Sequence, residues 1–153
     1  MFDVRWMTLN DFEPVLFLSI KVLRRDPRKT VTALQRRDKN SAIVVTKGDV
    51  VIGYMMYKHD HPEVVKIRHL CVLPEWQRKG AATAMMQFIM DGYSKAKVLK
   101  PLEVVVSELD TNNQKFFGSL GFKAFKVIKE HFKQSDGYVF RYSFERKTSK
   151  EQV

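Results

Sequence analysis

The chain has 153 residues, 44% of them hydrophobic, a single cysteine and a net charge of +10. That length buries one core in one domain without staples, and the lone Cys71 excludes an intrachain disulfide or a cysteine-based zinc cluster. No run approaches the ~18 apolar residues of a membrane span, and Met1–Trp6 lacks a basic region leading into a long apolar run, so a cytoplasmic protein with no membrane partner is expected.

The first expected strand is Phe2–Met7. Thr8 or Asn10 can cap a helix running to about Val22, with Phe12, Val15, Leu16, Ser19 and Leu23 near one face. Pro27 interrupts, and Thr30–Arg37 reads as a second, short helix. Ala42–Thr46 and Val50–Tyr57 flank Lys47-Gly48-Asp49 as a hairpin, and the turn His59–Glu63 leads into a strand over Val65–Leu73, ended by Pro74. A long helix follows from about Lys79 to Lys97, with Ala82, Met86, Ile89 and Tyr93 on one side. After Pro101, Leu102–Val106 is too uniformly apolar for an exposed edge strand. Thr111–Leu120 is helical and stopped by Gly121. Phe122–Lys129 and Tyr138–Phe144 form a closing hairpin. A domain over residues 1–146 and a polar tail over 147–153 complete the chain. The order β-α-α-β-β-β-α-β-α-β-β predicts an α/β (α+β) fold, a mixed sheet with helices packed against it.

The positive charge lies in patches: Lys21–Lys29, Arg36–Lys39, Arg78-Lys79, Lys95–Lys100 and Lys123–Lys133. Such a balance favours anionic partners, including cofactor phosphates, acidic proteins and ribonucleoprotein surfaces. No zinc-finger spacing, paired aromatic strand motif or clear helix-turn-helix marks a nucleic-acid module.

The junction Gln77-Arg78-Lys79-Gly80-Ala81-Ala82-Thr83, between an apolar strand and the Met-rich helix, can cradle a pyrophosphate with backbone alone. A helix N-terminus offers unpaired N–H groups and a positive dipole end. Gly80 permits close approach, Ala81 and Ala82 keep bulk small, and Arg78 and Lys79 add charge. A glycine after a strand is, however, often only a turn.

With these residues placed, the chain resembles the GNAT superfamily of acetyl-CoA-dependent N-acetyltransferases. Gln77, Gly80 and Ala82 meet that family's Gln/Arg-x-x-Gly-x-Gly/Ala signature. The strand Ile67–Val72 precedes it, and Leu120-Gly121-Phe122 matches the Leu-Gly-Phe after the family's fourth helix. Within the superfamily the segments Leu102-Glu103-Val104 and Ser119–Phe122 look most like the ribosomal-protein-alanine N-acetyltransferases. The resemblance implies about seven largely antiparallel strands, four helices and a splayed parallel pair in the middle. It implies acetyl-CoA wedged in that splay, its pyrophosphate on the N–H groups of Arg78 to Thr83 and its pantetheine on the main chain of Leu70 and Val72. An N–H near Cys71 or Val72 would face the thioester oxygen, and Asn113, Phe116 and Phe117 would complete the cofactor contacts.

The resemblance also supplies candidate side chains. Glu103 stands where some ribosomal-protein acetyltransferases place their base; it would act directly or through water, or else form a salt bridge near a strand start. His69, just before the cofactor stretch, is a second proton carrier or a satisfied core histidine. The base that other members carry earlier in this strand falls near Lys66, which cannot serve. Phe117 replaces the tyrosine that many members use to protonate the leaving thiolate, and Tyr138 and His131 are the candidate substitutes. Cys71 raises a covalent acetyl-enzyme, but its strand position favours lining the core or cofactor, so direct transfer is expected. The resulting expectation is acetyl transfer to a primary amine, a peptide or protein N-terminus ahead of a small amine or polyamine, with an acidic or ribosomal partner. A non-catalytic CoA-binding module is the alternative.

Overall fold

The computed structural model describes residues 1–144. The polar tail expected over 147–153, and the last two residues of the expected domain, lie outside the described residues. Seven strands form one sheet: β1 (Asp3–Trp6), β2 (Asn40–Lys47), β3 (Val50–Lys58), β4 (Val65–Val72), β5 (Leu102–Ser107), β6 (Lys123–Phe132) and β7 (Ser135–Tyr142). Their order is β1-β2-β3-β4-β5-β7-β6, antiparallel throughout except for the parallel pair β4 and β5. Four helices flank it: α1 (Phe12–Lys21), α2 (Pro27–Gln35), α3 (Ala81–Lys95) and α4 (Thr111–Ser119). This is the mixed sheet expected from the sequence. Among the described residues no helix is long and apolar enough to cross a membrane.

The sheet carries a core on each face. On one side Met85, Met86, Ile89 and Met90 of α3 meet Ile43, Met55, Ile67 and Leu102, with Phe117 and Phe122 from the α4 region. On the other, Val15 and Leu18 of α1 and Leu34 of α2 cover Val44, Tyr54, Met56 and Cys71. Alternation along β3 decides this split, since neighbouring Met55 and Met56 point to opposite faces.

Helix α2 begins three residues earlier than its apolar pattern predicts. Asp26 is its cap, the Oδ1 atom accepting from the Arg28 N–H at 2.9 Å, and Pro27 sits at the first helical position, where its missing N–H costs nothing. The closing hairpin is also tighter than expected, with β6 reaching Phe132 and β7 starting at Ser135. Asp136 closes it by accepting from the Glu130 N–H at 2.8 Å.

The start of the chain is fastened by Asp11. Its carboxylate takes a bidentate bond from Arg5, at 2.6 and 2.9 Å, and a third bond from the Thr8 N–H at 2.8 Å. Arg5 above all, and then the Thr8 amide, hold this carboxyl below its ordinary range against the opposing effect of burial. A depressed folded-state pKa contributes stability that is complete above the unfolded value of about 3.9 and is lost as pH falls through the folded one. Asp11→Asn is therefore expected to cost about 2 kcal/mol at neutral pH, with the difference closing below about pH 4. Urea unfolding at the two pH values checks this; an equal loss at both would refute the ion-pair origin.

Candidate active site

The central feature is a break inside the sheet. β4 and β5 pair only at Val65–Leu102 and Lys66–Glu103, and beyond that point they diverge. A cleft of about 670 Å³ fills the divergence, walled by Ile67–Leu70 and Val72 of β4, Val104–Ser107 of β5, the Gln77–Gly80 turn and the face of α4. The larger groove of about 1350 Å³ beside α3 and the β6–β7 hairpin is lined by Gly121 but by none of Gln77, Gly80 and Ala82, so the chemistry points to the cleft.

The main chain of β4 explains what the cleft offers. The Leu73 N–H donates to the Ile52 carbonyl of β3 at 2.8 Å, and a Cβ built on Gly53 of β3 would lie 2.5 Å from the Cys71 carbonyl. Cys71 and Leu73 therefore turn their backbone groups to β3. By strand alternation Leu70 and Val72 direct theirs toward β5, which has already moved away. An edge facing no strand thus lies inside the molecule, its Val72 carbonyl taken by the Gln77 side chain, and an extended ligand with amide groups can complete the rest.

At the end of that edge is the glycine turn. Arg78 and Gly80 both have positive φ, at 61° and 95°, which curls the chain so that its N–H groups converge. The first α3 bond runs from the Ala84 N–H to the Gly80 carbonyl at 2.9 Å, leaving the N–H groups of Ala81, Ala82 and Thr83 without helical acceptors. Gln77 faces back rather than toward an anion: its Nε2 donates to the Val72 carbonyl at 2.9 Å and ties the turn to the end of β4. Lys79 does not line the cleft; its Nζ lies over the Trp76 ring, 5.3 Å from the centroid. Ala81 is buried beneath the turn. These features suit a ligand with a pyrophosphate at one end and amides along its length, so the residues present fit acetyl-CoA.

At the opposite wall, Asp110 caps α4 by accepting from the Asn113 N–H at 3.1 Å, and the Asn113 side chain donates to the same carboxylate at 2.8 Å. Phe116 and Phe117 lie beside them, and Phe117, packed edge-on against Phe116 and Phe122, presents carbon alone.

The candidate proton carriers separate. His69 lies in the cleft wall and is buried, with Nδ1 2.8 Å from the Tyr54 hydroxyl. Its Nε2 makes no hydrogen bond to the described residues and is not sealed from solvent. Burial first, then the charges of Arg25 and Arg68, push the imidazole down to about 4, so it is neutral at physiological pH. A one-residue bulge at Arg68, opposite Met56 and Tyr57, breaks the alternation of β4. Ile67 consequently joins the α3 core, whereas His69 and Cys71 turn toward α1.

Glu103 stands at the vertex of the splay, outside the cleft, where its carboxylate binds Arg141 of β7, directly opposite; the Nε bond is 2.8 Å. Tyr138 packs against the α3 core and His131 lies near the tip of the last hairpin against Phe132, and neither lines the cleft. The Cys71 side chain is behind the cleft wall, its Sγ 3.8 Å from the Leu18 carbonyl, and burial pushes the thiol up to about 12, which leaves it without nucleophilic character. Leu23 and Arg25 from the α1–α2 loop, Arg68 and Phe132 also line the cleft, although no motif marks them.

Comparison with known proteins agrees with this geometry. No curated protein matches the chain. In fold it is similar to the ribosomal-protein-S18-alanine N-acetyltransferase of Escherichia coli, with a TM-score of 0.85 at 12% identity over 97% of each chain. It is similar to Ard1 from Thermoplasma volcanium, with a TM-score of 0.82 at 16% identity over 95% of this chain and 99% of that one. A GNAT family acetyltransferase from Elizabethkingia anophelis with acetyl-CoA bound gives 0.75 at 14% identity, over 94% and 98%. At these identities the likeness is one of fold, and it does not single out acetyltransferases of ribosomal proteins. Residues 5–122, a span that includes the splayed pair and the glycine turn, match the model of the acetyltransferase (GNAT) family, and the chain belongs to the GNAT family of acetyltransferases.

Proposed function

We propose that the protein transfers an acetyl group from acetyl-CoA directly to a primary amine, with a peptide or protein N-terminus as the favoured acceptor. The observation that carries this reading is the inner edge of β4, whose Leu70 and Val72 backbone groups face no strand and lead to the turn at Gly80. Leu70 and Val72 would hold the pantetheine arm, and the N–H groups from Arg78 to Thr83 the pyrophosphate. The Val72 N–H is the donor placed for the thioester oxygen, because Cys71 is turned to β3. Acetyl-CoA, when bound, supplies an activated acyl carbon and a thiol leaving group, far more acidic than an alcohol. A leaving group of that acidity departs without strong acid assistance, which accommodates Phe117 in place of a tyrosine.

His69 is the side chain placed to serve the amine. In the tautomer whose Nδ1–H donates to Tyr54, Nε2 presents a lone pair to the cleft. A weak base suffices there, because the nitrogen becomes far more acidic as its bond to the acyl carbon forms. Tyr54 fixes the ring, and solvent at the cleft mouth receives the proton. Glu103 serves instead to clamp β5 to β7 through Arg141. The resemblance of Leu102-Glu103-Val104 to ribosomal-protein-alanine acetyltransferases, and the +10 charge, favour an acidic or RNA-rich partner.

Calorimetric titration with CoA and a radiolabelled acetyl-CoA screen of peptides and small amines test the reading; absence of both saturable CoA binding and transfer would end it. His69→Gln is expected to lower kcat at least ~10-fold with unchanged CoA affinity, and Glu103→Gln less than ~3-fold. Because His69 is already neutral, the rate should rise with pH through the acceptor pKa, about 8 for a peptide N-terminus, without an inflection near 6.5. An inflection near 6.5 that disappears in His69→Gln would contradict the depressed histidine.

A further inference from the structure

We propose that the acceptor amine is carried on an acidic peptide, whose carboxylates occupy a basic groove opening off the cleft at His69. The proposal rests on the acetyltransferase reading and names the substrate class of the same site. The groove, of about 370 Å³, lies between the α1–α2 loop, α2 and residues of β3 and β4. It shares Arg25, Arg68 and His69 with the cleft, so a chain lying in it delivers its end to the imidazole.

Its charge is one-sided. Arg36 is paired with Asp38 at 3.2 Å and Lys58 with Asp60 at 3.6 Å. Arg24, Arg25, Lys29, Lys39 and Arg68 line the same groove with no carboxylate partner among the described residues. The one acid in the wall, Asp26, is engaged in capping α2. Five cations facing a single carboxylate, Asp26, leave a net positive field in the groove, and an anionic ligand relieves their repulsion. Arg24 is also held in the left-handed region, at φ 56°, a conformation unfavourable by about 1 kcal/mol for a residue with a Cβ.

The same field acts on the amine. A cationic wall disfavours the ammonium form and so favours the neutral nucleophile, as it already favours neutral His69. It repels polyamines and lysine-rich segments while attracting Asp and Glu in the residues that follow the amine. A peptide satisfies both demands, since it carries its negative charge at a distance from a single amine of modest pKa. Buried Thr30 and Met56 also line the groove.

The test uses peptides identical except at positions two to four, which are Asp/Glu, Ser/Gly or Lys, labelled at the C-terminus for anisotropy and assayed in parallel for acetylation. The acidic peptide is expected to have a KM and a dissociation constant at least ~10-fold below the neutral one, with the advantage shrinking as salt rises from about 0.1 M to 1 M. The double variant Lys29→Glu with Lys39→Glu should raise the acidic peptide's KM at least ~10-fold and improve the lysine peptide, while CoA affinity shows that the fold is intact. Equal binding and KM for acidic and neutral peptides, or a preference for lysine, would overturn the proposal. Free aspartate acetylated as well as the peptide would overturn it too, placing a small anionic amine in the groove. If acetyl transfer proceeds without acidic preference, only this proposal falls; if CoA does not bind at all, the acetyltransferase reading falls with it.

Discussion

Gly80→Glu is expected to raise the dissociation constant for CoA at least ~100-fold, close to 3 kcal/mol. Gly80 sits at φ +95°, and a Cβ there would meet no atom within 4 Å, so the substitution does not clash within the protein. Its effect comes from two other sources. A side chain in the left-handed region costs about 1–2 kcal/mol and biases the turn away from the shape that converges its N–H groups. The carboxylate then occupies the place of an anion at the N-terminus of α3, where like charge repels over a short distance. Gly80→Ala separates the contributions, since it carries the backbone effect without the charge and should weaken binding by no more than ~10-fold. Calorimetric titration, with a melting curve to confirm folding, measures both. Affinity within threefold of the parent for Gly80→Glu would remove the turn from the binding site.

Gly53→Ala should destabilise the whole domain by about 3 kcal/mol or more, the upper end of what one added methyl does in a packed interior. Here the clash is internal. The new Cβ would lie 2.5 Å from the Cys71 carbonyl oxygen, 2.9 Å from Val45 Cγ1 and 3.3 Å from Val72 Cα. Two of those atoms are backbone of β4, which cannot rotate aside, so relief requires moving the strand that forms the cleft wall. The matching control is Gly92→Ala, in α3, where a Cβ meets nothing within 4 Å. It should stabilise by about 0.5–1 kcal/mol through helix propensity alone. Urea unfolding of the pair therefore reads opposite signs for the same chemical change. A neutral Gly53→Ala would mean that β3 and β4 are further apart than described.

The element order and the glycine turn were legible because both rest on local signals. Period two gives way to helical period at Gly80, and Gly48 and Gly121 punctuate the chain where φ turns positive. The sequence places α2 three residues late because its apolar pattern starts after its true beginning, the Asp26–Pro27 cap. The bulge at Arg68 had no sequence signal: Ile67, His69 and Cys71 alternate as if on one face, and only the pairing with β3 shows the extra residue. Glu103 was ambiguous for a related reason. Its partner, Arg141, is 38 residues away, and nothing local distinguishes a clamped carboxylate from an available one. The basic groove lay in the same class. The charged patches Lys21–Lys29 and Arg36–Lys39 are plain in the sequence, but their convergence with Lys58 and Arg68 depends on how α1 and α2 cross the sheet.

The parting of β4 from β5 also bears on how the domain is assembled. With two residue pairs joining them, the sheet is in effect a four-stranded unit, β1 to β4, and a three-stranded unit, β5, β7 and β6. Within the first, β2, β3 and β4 pair with their neighbours in the chain, and within the second β6 and β7 do the same. Such near-neighbour pairings close small loops and form quickly, whereas distant pairings carry a larger entropic barrier. The outer pairings, β1 with β2 and β5 with β7, span as much chain as the seam does, and the two units are linked through α3, the crossover between them. The gap that admits a ligand thus leaves the two halves of the sheet held together more by the side chains of α3 packed across both than by strand hydrogen bonds.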